Sequence, residues 1–126
     1  TAIESRKRGL TTIGVTSNSF AEVVPKGHKS RHPSNKNLFE EVDIFIDNHL
    51  PEGDSIVEVE NFSQKVASTS TFCNCFVMNL IVIETVKCLL EKGVTPPVWV
   101  SANMPGGDEH NKVLEEKYFP IIKHLR

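Results

Sequence analysis

Four consecutive hydroxyl side chains, Ser68-Thr69-Ser70-Thr71, stand directly ahead of a long apolar stretch. If that stretch is helical, they lie beside unpaired backbone N–H groups at the positive end of its dipole. That combination binds phosphate without lysine or arginine. Ordinary capping needs only one of the four hydroxyls, so both uses stay open. A second cluster, Thr16, Ser17 and Ser19 around Asn18, closes the apolar run LTTIGV. A buried strand that ends this way either enters a turn that satisfies itself or faces a ligand rich in oxygens. Glu109 and His110, adjacent behind the glycine turn of GGDEHN, are the sharpest acid–base pair. A carboxylate beside an imidazole suits general acid–base catalysis, and a solvated first helical turn uses the same residues.

Other reactive residues have simpler uses. His28 and His32 share a basic loop with Lys26, Lys29, Arg31 and Lys36, which suits phosphate or plain solvation. Glu84 interrupts an apolar helix and needs a partner there, since burial without one would raise its pKa. Cys73, Cys75 and Cys88 are odd in number and lie within one apolar segment. They read as small core side chains in a reducing cytoplasm rather than a disulfide framework. Cys73-x-Cys75 lacks the spacing of zinc pairs, and Asp108, Glu109 and His110 diverge on a helix, so no metal site and no cofactor are expected.

The elements that must position these residues follow from the pattern of the 126-residue chain, which is one domain's worth. A formal charge of −2 gives no field that favours nucleic acid or an anionic membrane. No unbroken apolar run reaches the roughly 18 residues of a bilayer span, and the opening TAIESRKRG has no signal-peptide core. Ala2–Arg8 reads as the last two turns of a helix stopped by Gly9, so a portion in front is expected.

Strands are expected at 11–16, 43–47, 56–60 and 98–101, with short helical pieces at 19–24 and 36–42. A long helix from about 69 to 92, stopped by Gly93, is apolar nearly all round and should be buried nearly all round. One side would meet a sheet and the other a second subunit, giving a homodimer or higher homo-oligomer. A last helix is expected at 108–124 with Asp108 as its N-cap, kinked or broken by Pro120. Strands alternating with helices predict a layered α/β fold with a mainly parallel sheet. Ligands in such sheets sit beyond the carboxyl ends of the strands, where 16–19, 47–49 and 101–104 fall.

TTIGVTSNS, RHPSNKNLFEEVDIFIDN, KVASTSTF and PPVWVSANMPGGDEHN occur in that order over nearly the whole chain. Together they resemble the back half of a sugar isomerase (SIS) domain, closest to small bacterial SIS proteins related to phosphoheptose isomerase. The resemblance implies a three-layer sandwich of flavodoxin- or Rossmann-like topology that lacks its first strands here. It makes residues 1–126 the C-terminal portion of the domain and implies binding of a phosphorylated sugar. The family's Ser/Thr-rich phosphate loop has no counterpart in this chain. His32-Pro33-Ser34-Asn35-Lys36 departs from a glycine-containing loop, although Asn35 tolerates the left-handed backbone a glycine would take.

On this reading Thr16, Ser17, Ser19 and Ser68–Thr71 hold substrate. Glu109 and His110 move the proton and open the ring in a sugar-phosphate isomerase or related lyase. A non-catalytic phosphosugar-sensing module is the alternative. A divergent remnant that folds only by pairing with another copy is a third.

Overall fold

The computed structural model describes residues 1–125. Its first strand follows from period-two alternation: Ile13 and Val15 point one way and Gly14 and Thr16 the other in β1 (Ile13–Thr16). β2 (Ile44–Asp47) runs parallel to it, with Ile13 opposite Ile44 and Val15 opposite Ile46. The register is held from below. The Thr12 backbone N–H and hydroxyl both donate to the Asp43 carboxylate at 2.8 Å. Those bonds, with Arg6 beside them, hold Asp43 below its ordinary pKa.

One face of this pair is partly covered. A 3₁₀ turn at Leu38–Glu40 lies over Gly14, where an added Cβ would sit 2.9 and 3.0 Å from the Val42 methyls. Phe39 packs on Phe45 with ring centroids 5.5 Å apart. The opposite face carries Ile13, Val15, Ile44 and Ile46, and both Ile13 and Ile44 are exposed.

α1 (Ala2–Lys7) ends as its sequence demands. Gly9 takes φ +73°, and Gly9 and Leu10 donate back to Arg6 and Ser5. α2 (Asn18–Val23) follows β1 directly and is capped by Ser17, whose hydroxyl accepts from Phe20 N–H. The polar loop after it is organised by Arg31, whose guanidinium donates to the carbonyls of Ala21, Val24 and Asn35 and to Asn37 Oδ1. Asn35 takes φ +58°, the left-handed backbone its position requires.

β3 (Ser55–Val57) is shorter than the expected 56–60. It pairs antiparallel with β4 (Val66–Ser68), a strand the sequence pattern did not announce. Among the described residues the four strands therefore make two separate two-stranded sheets, one parallel and one antiparallel, within a mixed α and β chain. The anticipated strand at 98–101 does not form. No strand lies alongside it among the described residues, and the Asn111 side-chain amide takes the place of a neighbour, accepting from Val100 N–H at 3.0 Å and donating to its carbonyl at 2.7 Å.

α3 (Ser70–Glu91) is the expected long helix, and Gly93 closes it with φ +70°. Its burial differs from expectation: none of its residues is buried, and Phe72 and Phe76 are 76% and 64% exposed. Cys75 and Cys88 are exposed rather than core residues, and all three cysteines are free. Glu84 lies exposed rather than buried, so it has no need of a partner, although Lys87 Nζ is 2.6 Å away. At 22 residues α3 has the length and composition of a membrane span, a test that a soluble core helix also passes. Counting unbroken apolar runs missed this because Asn74 and Asn79 interrupt the sequence.

α4 (Gly107–Tyr118) starts one residue before Asp108, with left-handed Gly106 rather than Asp108 as its N-cap. It stops two residues short of Pro120, and a 3₁₀ turn at Lys123–Leu125 follows. The chain divides into two compact units, Thr1–Ile81 and Val82–Arg126.

Candidate functional site

The start of α3 is built around a single carboxylate. Asp54 lies in the turn before β3 with φ +66°, and its side chain accepts from three consecutive residues. Ser68 Oγ donates to Oδ2 at 2.5 Å. Thr69 donates its N–H to Oδ1 at 3.0 Å, while its hydroxyl donates to the Asp54 backbone carbonyl at 2.9 Å and lies 3.3 Å from Oδ1. Ser70 donates its N–H to Oδ1 at 2.7 Å and its hydroxyl to Oδ2 at 2.8 Å. Four donors thus converge on one anion at the positive end of a 22-residue helix. The Ser68 and Ser70 hydroxyls, and then the backbone N–H groups, pull the Asp54 pKa from 3.8 to about 2. Thr71 lies one residue beyond and is exposed.

The tip of β1 answers the question its hydroxyls raise. Ser17 is 3% exposed and donates to the Leu50 carbonyl at 2.7 Å, and Ser19 shares that acceptor at 3.5 Å. The two hydroxyls lie 3.1 Å apart. Asp47, at the end of β2, accepts Asn18 N–H at 3.4 Å and His49 N–H at 2.9 Å. The cluster satisfies itself. Thr16 continues the strand, and its carbonyl accepts Asn48 N–H at 3.2 Å.

The structure therefore unites Ser17 with Ser19, and Ser68 with Thr69 and Ser70. It ties both groups to one short segment, because Leu50 holds the first and Asp54 the second. Four residues apart, these anchors lie within about 14 Å of each other however the chain runs. Buried Asn48 adds a third tie, donating to Asn74 Oδ1 on α3 at 2.8 Å. The sequence reading missed Asp54. An acidic residue in a Pro-Glu-Gly-Asp turn fourteen positions from its partner leaves no local signal.

Glu109 and His110 belong to the second unit, in the first turn of α4. The Val98 carbonyl lies 2.9 Å from His110 Nε2 and can only accept, so that nitrogen carries the proton. Trp99 stacks on Phe119 in the same unit, with centroids 5.9 Å apart.

Similarity runs across nearly the whole chain. It is 41% identical over 124 residues to a UPF0309 protein of Shouchella clausii, covering 98% of this chain and 49% of the relative. It is 39% identical over 117 residues to one of Geobacillus thermodenitrificans, covering 93% and 45%. With one of Caldanaerobacter subterraneus subsp. tengcongensis the figures are 37% over 126 residues, 98% and 50%.

The chain is similar to UPF0309 proteins. It spans about half the length of the curated relatives it matches. No family model matches it. The UPF0309 name specifies no substrate, cofactor or reaction.

Proposed function

We propose that this chain is the C-terminal portion of a SIS-type domain, a three-layer sandwich in the intact protein, and that it binds a phosphorylated sugar. The observation that carries the reading is the convergence of Ser68, Thr69 and Ser70 on the Asp54 carboxylate. Donors already aimed at one oxyanion cost little reorganisation when another takes its place. Asp54 is then a resident stand-in for phosphate, and a phosphate ester competes with it for the α3 N-terminus. The Thr16, Ser17 and Ser19 tip supports the same region through the Leu50–Asp54 segment, with Ser19 its exposed hydroxyl.

In the intact protein Glu109 serves as proton-transfer base and His110 as ring-opening acid in a sugar-phosphate isomerase or related lyase. A non-catalytic phosphosugar sensor is the second reading, favoured by the engagement of His110 with the Val98 carbonyl. The exposed apolar surface of α3 serves self-association in either case. A thermal-shift titration of the intact protein with a panel of sugar phosphates tests the binding claim. Stabilisation that rises with concentration supports it, and no shift at millimolar ligand overturns it.

A further inference from the structure

We propose that the uncovered face of the β1–β2 pair, formed by Ile13, Val15, Ile44 and Ile46, is the docking surface for the other half of a polypeptide of UPF0309 length. The inference does not depend on what the site binds. Residues in register on parallel strands share a face, so these four β-branched side chains form one apolar patch, half-buried at Val15 and Ile46 and exposed at Ile13 and Ile44. Its opposite face already carries the 3₁₀ turn at Leu38–Glu40 over Gly14, with Phe39 packed on Phe45. Parallel sheets occur almost only with both faces covered, yet Ile13 is 59% and Ile44 48% exposed. Among the described residues each strand also has one edge without a neighbouring strand.

The exposed area gives the scale of what is needed. The chain exposes 9955 Å², whereas a folded monomer of its mass exposes about 6,700 Å². Even counted as two separate compact bodies, the units would expose only about 8,100 Å². That surplus of about 1,900–3,200 Å² lies on one side alone, which corresponds to about 3,800–6,400 Å² counted over both partners, the scale of obligate association.

A second copy fits less well than a chain extension. Two-fold pairing would join like edges antiparallel, whereas a parallel pair grows by crossover connections that bring a helix onto its face. The relatives carry about as much chain again as the part that matches, which is enough for such strands and helices.

The test is a chimera in which this chain replaces the matched half of the Shouchella clausii UPF0309 protein. It is compared with the 126-residue chain alone by amide hydrogen exchange and light scattering. Protection of β1 and β2 should rise by at least about tenfold in the chimera. Ile13→Asn with Ile44→Asn should abolish that gain, while Phe76→Ser on α3 leaves it intact. Because both isoleucines are exposed in the chain alone, the pair should leave the exchange of its other segments unchanged there. Equal protection in the isolated chain, a homodimer of it that the isoleucine pair dissociates, or a chimera without added protection would each overturn the proposal.

Discussion

Ser70 gives both of its donors to Asp54, the backbone N–H to one carboxylate oxygen at 2.7 Å and the hydroxyl to the other at 2.8 Å. This pairing makes the start of α3 sensitive to acid. The Asp54 pKa is depressed, from 3.8 to about 2, so its stabilising contribution is present above the unfolded value and lost as pH falls through the folded one. Thermal unfolding of the parent and Asp54→Asn should differ by a constant margin above about pH 4.5 and converge near pH 2. A margin that persists unchanged at pH 2 would contradict the assignment.

Removal of the resident carboxylate should also open the cradle to phosphate. Asp54→Asn is expected to bind sugar phosphates about tenfold or more tightly than the parent, because the competent fraction of the site rises. Isothermal titration calorimetry of both proteins against the same ester reads this directly. Equal affinities would mean that ligand and carboxylate do not share donors.

Ser17 is both the cap of α2 and the donor to the Leu50 carbonyl. Ser17→Ala leaves the Leu50 carbonyl only the longer Ser19 contact and removes the cap from a helix N–H, and should cost about 1–2 kcal/mol in urea unfolding. A loss below a few tenths would show that water replaces the hydroxyl.

Gly14 has no room for a methyl group against Val42. Gly14→Ala should therefore destabilise by about 1–3 kcal/mol through overpacking. Val42→Ala in the same chain should recover part of the loss, a coupling that a double-mutant cycle measures.

Phe72 and Phe76 lie on the exposed surface proposed for self-association. Phe72→Ser with Phe76→Ser should shift the protein towards monomer in sedimentation experiments while helix content by circular dichroism is kept. An unchanged oligomeric state would remove α3 from the interface.

Much of this was legible in the sequence wherever a period repeats. β1 and β2 show alternation, α3 runs for six turns, and Gly9 and Gly93 close helices as their types require. β4 escaped because three residues, one of them Ala67 with φ +63°, carry no pattern, and its partner lies across a loop. Val98–Ser101 has the composition of a strand, but strand formation needs a neighbour, and Asn111 supplies only one residue's worth of pairing. The hydroxyl clusters were visible. What fills them was not, since Asp54 and the Leu50 carbonyl reach them through the fold.

The stretch from Leu50 to Asp54 ends in a grip on each hydroxyl cluster, and it is too short to slacken. It works as a tether: the two hydroxyl clusters, far apart in sequence and on different elements, are moored to the same five residues.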